Sequence, residues 1–228
     1  MTRETLERKM HELLDEVLLL GSMVEQATLQ AVRALRDHNL AASEEVYKAD
    51  KIINEKRFEL EERTLVLIAT QQPMAGDLRI LAAVLDVASE LERMGDYAKG
   101  IGKINLNLGA ESRLKVPAEL MQMAEISVDM LHRALEAFVT RDADAASQIP
   151  AEDDKVDALF TVVNNEILRQ MGADPGDIGH INHLMWACHN LERMADRVTN
   201  ICERTIFVAT GKLAEFDSSD DEQRQLAK

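Results

Sequence analysis

Apolar residues recur along this chain at steps of three and four positions, the spacing that places their side chains on one face of an α-helix. The pattern continues for roughly thirty residues at a time and stops at turn-forming residues such as Asn39 and Pro73. It predicts six long helices, over residues 5–36, 40–71, 74–108, 117–140, 142–171 and 175–210. Asn39 is expected to cap the second helix, and Asp174 with Pro175 to begin the sixth. Pro150, inside the fifth helix, predicts a kink or a local break.

Long helices joined by turns of a few residues must lie antiparallel to their neighbours. The pattern therefore predicts an all-α protein made of two tandem antiparallel three-helix bundles. We expect the first bundle over residues 1–110 and the second over residues 111–216, with the linker at residues 109–117. Residues 217–228 lose the helical period and are mostly acidic or polar, so an acidic disordered tail is expected there.

The two predicted bundles are related by an internal duplication. The segment Leu-Glu-Arg-Met-Gly-Asp at residues 91–96 returns as Leu-Glu-Arg-Met-Ala-Asp at residues 191–196, inside the third and the sixth helix. A spacing this long excludes a solenoid, whose repeats have periods of about 20 to 50 residues. The repeated word holds a Glu and an Asp four positions apart, so two carboxylates share one helix face and repel each other unless a cation is near.

Composition narrows the class of protein and the partners that suit it. Hydrophobic residues make up 46% of the 228 positions but aromatic residues only 4%, which is typical of helical proteins rather than of sheets. A net charge of −15 with no run of Lys or Arg argues against nucleic acid and favours cations or basic partner surfaces. Cys188 and Cys202 stand on one predicted helix, too far apart for a disulfide, and are expected to be reduced core thiols.

The chain has no feature that predicts a place in the membrane. Its apolar stretches are far shorter than the ~20 residues of a membrane span, and its N-terminus has no signal-peptide core. We therefore expect a cytoplasmic protein.

Acidic residues of neighbouring helices are predicted to face each other in the first bundle. Glu92 and Asp96 lie about twenty residues after the turn at Pro73. Asp50 and Asn54 lie about twenty residues before it, so at ~1.5 Å per residue both pairs are ~30 Å from the turn. The two pairs can therefore meet across the antiparallel contact.

The second bundle repeats the arrangement with a carboxylate at all four positions. The same count sets Asp153 and Asp157 opposite Glu192 and Asp196. Carboxylate-bridged metal ions in helical bundles use facing pairs of this kind, so iron, zinc, nickel, manganese or magnesium is expected here. Acidic pairs on helix faces are also common as solvated or salt-bridged residues, and that interpretation stays open.

The two acidic sets differ in the cations around them. Lys99 and Lys103 follow the acids of the first set on the third helix, and Arg57 lies one turn from Asn54 on the second. The acids of the first set are therefore expected to be neutralised within the protein. The corresponding neighbours on the sixth helix include no Lys or Arg, so the second set is predicted to be the better metal site.

Three further residues are weaker ligand candidates. His189 stands three positions before Glu192 and would add a nitrogen, which favours zinc, iron or nickel over magnesium. Glu203 is another neighbour of the second set on the sixth helix, and Asn54 offers an amide in place of a carboxylate.

No catalytic residues are predicted, because the chain has no nucleophile–base constellation, no Gly-rich phosphate loop and no Cys-x-x-Cys pair. Two alternatives to a non-enzymatic regulator remain. One is a carboxylate-bridged di-metal oxidoreductase, which is disfavoured because such sites normally use Glu-x-x-His motifs in a four-helix bundle. The other is a metal-free helical scaffold.

Several motifs resemble the PhoU family of phosphate-transport accessory proteins. They are Gln71-Gln72-Pro73 followed by Asp77-Leu78-Arg79, the two Leu-Glu-Arg-Met words, Thr199-Asn200-Ile201 with Glu203, and Thr210-Gly211. The resemblance covers nearly the whole chain to Gly211, and it is specific because it combines duplicated motifs with their spacing.

The resemblance implies a six-helix cytoplasmic regulator, not an enzyme, that holds the phosphate-starvation response off when phosphate is plentiful. It implies contacts with a sensor histidine kinase (PhoR-like) and with the ATPase subunit of the phosphate transporter (PstB-like), and it implies a homodimer. Metal ions on the acidic motifs are implied as well. By position these motifs fall on Asp50, Glu92 and Asp96 in the first bundle and on Asp153, Asp157, Glu192 and Asp196 in the second. Asn54 departs from the all-carboxylate pattern, which again favours the second bundle.

Overall fold

The computed structural model describes residues 3–110, 112, 114–173, 178–213 and 215–216, and all regular structure in these residues is helical. The all-α prediction is therefore confirmed. In this part of the chain the α-helices are α1 Arg3–Arg36, α2 Leu40–Gln71, α3 Gly76–Leu108, α4 Ala118–Thr140, α5 Ala143–Gln148, α6 Asp153–Ala173 and α7 Ile178–Thr210.

Both repeats begin their second helical segment with the same N-cap. The side chains of Asn39 and Asp142 accept hydrogen bonds from backbone N–H groups three residues further on, at 3.1 and 2.9 Å. The residue before each cap, His38 or Arg141, has a positive φ of 50° or 58° and turns the chain sharply. The predicted cap at Asn39 is confirmed, and the shared geometry shows that the duplication extends to the turns.

The predicted break at Pro150 is also confirmed. Helix α5 ends at Gln148, a 3₁₀ turn covers Ile149–Glu152, and α6 begins at Asp153. Proline has no backbone N–H to donate and its ring crowds the preceding turn, so the helix cannot run through it. One consequence is that Asp153 stands in the first turn of a new helix. The predicted start of the last helix at Asp174 and Pro175 and the predicted acidic tail over residues 217–228 lie outside the described residues.

The two repeats pack as two antiparallel three-helix bundles that share one core. α1, α2 and α3 form the first bundle, and α4, the α5–α6 segment and α7 form the second. α1 also lies against α4, and α3 against α7, so the buried apolar side chains are continuous from one repeat to the other. Tyr97 and Arg197 hold equivalent positions in α3 and α7, and Arg197 Nε lies 3.4 Å from the Tyr97 hydroxyl. Contact between equivalent residues is what an approximate twofold relation produces.

Polar side chains tie α3 to α7 at this contact. Arg197 Nη1 pairs with Glu90 Oε2 at 3.2 Å, and the amide of Asn200 donates to the same oxygen at 3.2 Å. The guanidinium carbon of Arg193 lies 5.2 Å from the centre of the Tyr97 ring. These residues fix how the two repeats are oriented, and this contact was not predicted from the sequence.

Small residues let α3 approach α2 closely. A Cβ built on Gly102 would lie 3.2 Å from the backbone oxygen of Ser43, and one on Gly95 would lie 3.1 Å from Cγ2 of Ile53. The backbones of the two helices therefore meet closely at Gly102, and the Ile53 side chain packs against the α3 backbone at Gly95. This close packing brings the acidic residues of α2 and α3 within reach of each other.

Both cysteines are buried and free, as predicted. Burial raises the pKa of the Cys188 thiol and of the Cys202 thiol to about 12, so both stay protonated at neutral pH. Among the described helices, none is long and apolar enough to cross a membrane.

Candidate functional site

The first acidic cluster consists of Asp50 and Asn54 on α2 with Glu92 and Asp96 on α3. A lysine from α3 occupies its centre. The ammonium of Lys99 donates to Asp50 Oδ2 at 2.7 Å and to Asp96 Oδ1 at 3.4 Å. The predicted meeting of the two helices at this height is therefore observed, and so is the internal neutralisation by Lys99.

Asp50 is the most deeply placed member of the first acidic cluster. Its side chain is 7% exposed, and the Asn54 amide donates to its Oδ2 at 3.3 Å. Its other oxygen, Oδ1, is buried and has no hydrogen-bond partner in the described part of the chain. A buried carboxylate with an unsatisfied oxygen is costly, and the short contact with Lys99 offsets that cost. Hydrogen bonding to Asp50 accordingly raises the pKa of Lys99.

Glu92 and Arg57 complete the surroundings of this cluster. Burial, and after it the carboxylate of Asp96, raise the pKa of Glu92, whereas the positive charge of Arg57 opposes the rise. Arg57 itself pairs with Glu61 at 2.9 Å. Lys103, expected from the sequence to share in the neutralisation, is exposed on the outer side of α3. Lys99 is therefore the cation that matters most here.

The second acidic cluster consists of Asp153 and Asp157 on α6 with Glu192 and Asp196 on α7. The other three members are close enough to Asp153 for their charges to act on it. Burial raises the pKa of Asp153 to about 7, and neighbouring carboxylates add to the rise, in the order Asp196, Asp157, Glu192 and Asp154. A helix N-terminus normally favours a carboxylate by up to about 1 kcal/mol, and here burial and like charge outweigh it.

The residues that neutralise the first cluster are replaced in the second. Thr199 holds the α7 position equivalent to Lys99, and Phe160 holds the α6 position equivalent to Arg57. Two cations are thus exchanged for a hydroxyl and a phenyl ring, while a carboxylate, Asp157, replaces Asn54. The role of Phe160 was missed at the sequence level, although the spacing between Asp50 and Asp153 would have located it opposite Arg57.

His189 lies at the edge of the second cluster. Its Nδ1 is 2.9 Å from Oε2 of Glu192. Its ring is tilted against Phe160 and lies edge-on to Trp186, with 6.4 Å between ring centres in each pair. Burial, with a smaller effect from Arg193, lowers the pKa of His189 and so favours a neutral imidazole. A neutral ring is the form that donates a lone pair to a metal.

Glu203, the other weak ligand candidate, does not join the second cluster. Its Oε1 accepts a hydrogen bond from the backbone N–H of Phe216 at 2.8 Å. Burial raises the pKa of Glu203, and the hydrogen bond from Phe216 opposes the rise. Glu203 therefore holds the segment that follows α7 against that helix.

The two clusters differ in their suitability for a metal ion. As the side chains stand, no group of three or more His, Cys, Asp or Glu among the described residues is arranged to hold an ion. In the second cluster the chemistry nevertheless fits a cation, since the charges of Asp157, Glu192 and Asp196 all act on Asp153, whose Oδ1 is buried without a hydrogen-bond partner in the described part. In the first cluster an ammonium already fills that role.

Comparison with known proteins points to one family for both repeats. The family model for the PhoU domain matches residues 17–104 and again residues 120–205. The chain is 34% identical over 218 residues to a Clostridium acetobutylicum protein named phosphate-specific transport system accessory protein PhoU homolog, covering 95% of this chain and 100% of the relative. It is 29% identical over 212 residues to the Escherichia coli protein named phosphate-specific transport system accessory protein PhoU, covering 93% and 88%.

Solved structures agree with the sequence comparison. The crystal structure of the phosphate transport system regulatory protein PhoU from Streptococcus pneumoniae matches with a TM-score of 0.85 and 31% identity, over 92% of this chain and 100% of that one. The crystal structure of PhoU from Pseudomonas aeruginosa matches with a TM-score of 0.83 and 28% identity, over 90% of this chain and 99% of that one.

Proposed function

The chain belongs to the PhoU family, and we propose that it is an accessory protein of a phosphate-specific transport system that holds the phosphate-starvation response off when phosphate is plentiful. The observation that carries this proposal is the match of both repeats, and of the fold as a whole, to proteins named as accessory or regulatory proteins of phosphate transport. The protein acts by binding and not by catalysis.

In this proposal the protein works as a homodimer in the cytoplasm and docks on two partners, a sensor histidine kinase and the ATPase subunit of the phosphate transporter. The net charge of −15 favours basic partner surfaces and speeds encounter with them. Binding can turn the kinase off only if the protein has a higher affinity for the phosphatase-like state than for the signalling state. Association with the membrane follows from these partners.

A metal ion completes the second acidic cluster in this proposal. Asp153, Asp157, Glu192 and Asp196 would hold it through oxygen, with the His189 nitrogen beside Glu192. Iron, zinc, nickel, manganese and magnesium all accept such donors, and the His189 nitrogen favours the transition metals. When bound, the ion supplies positive charge that relieves the repulsion among the carboxylates and ties α6 to α7.

A di-metal oxidoreductase is not favoured by the arrangement of these donors. Among the described residues, the histidine beside the acidic clusters is His189, which precedes Glu192 in the order His-x-x-Glu. Di-iron carboxylate bundles instead use Glu-x-x-His on each of two helices of a four-helix bundle. An oxidase assay on iron-loaded protein tests this alternative, and turnover above the rate of free iron would support it.

Deletion of the gene tests the regulatory role. A reporter driven by a phosphate-starvation promoter should be active in the deletion strain at high phosphate, and wild-type protein should silence it again. Complementation with Asp153→Asn/Glu192→Gln/Asp196→Asn then tests whether the second acidic cluster takes part. The matched control is Glu55→Gln/Glu59→Gln/Glu62→Gln, which neutralises three exposed acids of α2 outside both clusters. A reporter that stays silent in the deletion strain would overturn the proposal.

A further inference from the structure

The first repeat carries a lysine, Lys99, at the position where the second carries Thr199. Lys99 Nζ lies between carboxylates of two different helices, 2.7 Å from Asp50 Oδ2 and 3.4 Å from Asp96 Oδ1. It also lies 5.7 Å from the centre of the Tyr47 ring, within the range of a cation–π contact. One ammonium thus bridges α2 and α3 at the height where the second repeat has four carboxylates and a threonine.

The surroundings of this ammonium are those of a cation site. Asp50 is more than nine-tenths buried, and its Oδ1 is itself buried and has no hydrogen-bond partner among the described residues. Glu92 is close enough to both Asp50 and Asp96 for their charges to act on it. Without Lys99, three carboxylates would remain around a position that is buried at Asp50 and open to solvent at Asp96, and a bound cation is the simplest way to offset their charge.

We infer that Lys99 is a tethered substitute for a metal ion in the first repeat, so that this repeat holds a latent metal site closed by a single side chain. The inference rests on the proposed metal site of the second repeat for its comparison, but its geometry is that of the first repeat alone. A mobile divalent ion cannot enter while the ammonium is present, because the two positive charges would have to share the same oxygens. Position 99, with its equivalent Thr199, then determines which repeat is open to an ion.

The chemistry of the latent site differs from that of the second cluster. Its donors are the carboxylates of Asp50, Glu92 and Asp96 with the amide of Asn54, and the set contains no histidine. Oxygen donors alone suit manganese, magnesium or calcium better than zinc. Mn²⁺ is therefore the appropriate probe, and its free concentration can be followed by electron paramagnetic resonance.

The experiment begins with a protein in which the second cluster is disabled by Asp153→Asn/Glu192→Gln/Asp196→Asn. This protein should bind Mn²⁺ no more tightly than its exposed acids allow. Adding Lys99→Thr, which copies the residue of the second repeat, should tighten Mn²⁺ binding about tenfold or more and create roughly one new site. Adding Lys103→Thr, which removes an exposed lysine from the same helix, should leave binding unchanged.

A second variant and a second readout keep the test decisive if Lys99→Thr folds poorly. Lys99→Gln keeps a long polar side chain beside Asp50 without its charge, and it should also gain Mn²⁺ affinity. Added Mn²⁺ should raise the melting temperature of both Lys99 variants and not that of Lys103→Thr. The inference is overturned if neither Lys99 variant gains affinity, or if the protein with Lys99 intact already binds Mn²⁺ tightly in the first repeat.

The result separates this inference from the proposed function. The wild-type protein could bind no ion while Lys99→Thr gains affinity for Mn²⁺. This outcome would overturn the proposed metal site of the second repeat but support the role of Lys99. The opposite outcome is that Asp153→Asn/Glu192→Gln/Asp196→Asn abolishes Mn²⁺ binding and neither Lys99 variant gains affinity for Mn²⁺. It would support the metal site of the second repeat and overturn the inference.

Discussion

The ammonium of Lys99 lies 2.7 Å from Oδ2 of Asp50, across the contact between α3 and α2. The Asp50 side chain is 7% exposed and that of Lys99 is 31% exposed, so the pair is buried at its acidic end and reaches solvent at its basic end. This single contact compensates the acids of the first repeat and fastens two helices of that bundle. The second repeat has Thr199 at the equivalent position, and there burial, and after it the charges of the neighbouring carboxylates, raise the pKa of Asp153.

Removal of Lys99 should destabilise the metal-free protein. Lys99→Met leaves Asp50 charged and buried without its partner, and we expect a loss of about 2–3 kcal/mol in the free energy of unfolding. Urea denaturation at pH 7 with a chelator measures it. Lys103→Met serves as the control and should have little effect. The double variant Lys99→Met/Asp50→Asn should recover much of the loss, and equal losses in the single and double variants would show that charge is not the cause.

Stability of the metal-free protein should depend on the ionisation of Asp153. The pKa of this residue is about 7 in the folded protein, whereas the ordinary value for an aspartate is 3.8. Between these values the folded state holds a proton that the unfolded state releases, so the free energy of unfolding falls as the pH rises from about 4 to 7 and stays lower above it. Asp153→Asn cannot ionise and should be more stable than wild type by roughly 1 kcal/mol at pH 8.

Urea denaturation of both proteins across this pH range, with chelator present, provides the measurement. The difference between them should shrink towards pH 4, where Asp153 is protonated in the folded protein. A difference in stability that is absent at pH 8, or that grows as the pH falls, would contradict the raised pKa assigned to Asp153.

The contact between the repeats should depend more on Arg197 than on its neighbour Arg204. Arg197 pairs with Glu90, whose side chain is 14% exposed, whereas Arg204 pairs with Asp86, which is 52% exposed. Arg197→Met should cost roughly 1–2 kcal/mol, because it takes the guanidinium away from a mostly buried carboxylate. Arg204→Met should change stability little. Thermal unfolding of the two variants compares them directly, and equal effects would argue against a special role for Glu90.

The close approach of α3 to α2 should make Gly102 intolerant of a methyl group. A Cβ there would lie 3.2 Å from the Ser43 backbone oxygen, which cannot move without shifting α2. We expect Gly102→Ala to destabilise by about 1 kcal/mol even though alanine favours a helix. Gly172 in α6 has nothing within 4 Å of the same position, so Gly172→Ala should be neutral or stabilising. Chemical denaturation measures the stability of both variants. A Gly102→Ala protein that is more stable than the Gly172→Ala protein would contradict this account.

Much of the fold could be predicted from the sequence because it depends on local patterns. Helix α2 was predicted with its observed bounds, and Pro150 marked the break that places Asp153 at a helix start. The relation of Lys99 to Asp96 was also predictable, since both lie on one helix with a known period.

Contacts between helices were harder to predict. The pairing of Lys99 with Asp50 depends on how α3 is rotated against α2, and the packing of Phe160 against His189 depends on the same relation between α6 and α7. Glu203 looked like a neighbour of the second cluster along α7, but its carboxylate turns to the backbone of Phe216. Helical periodicity gives the face of a residue, whereas the partner across the interface is decided by packing of the whole bundle.

The central claim is that the two repeats use equivalent acids differently and that the second repeat is the one open to a metal ion. Its most direct test is the metal content of protein purified without chelator, measured by elemental analysis for wild type, Glu192→Gln/Asp196→Asn and the matched variant Glu92→Gln/Asp96→Asn. We expect the first variant to lose the bound metal and the second to retain it. Metal that persists when Glu192 and Asp196 are neutralised, or that disappears when Glu92 and Asp96 are, would contradict the claim.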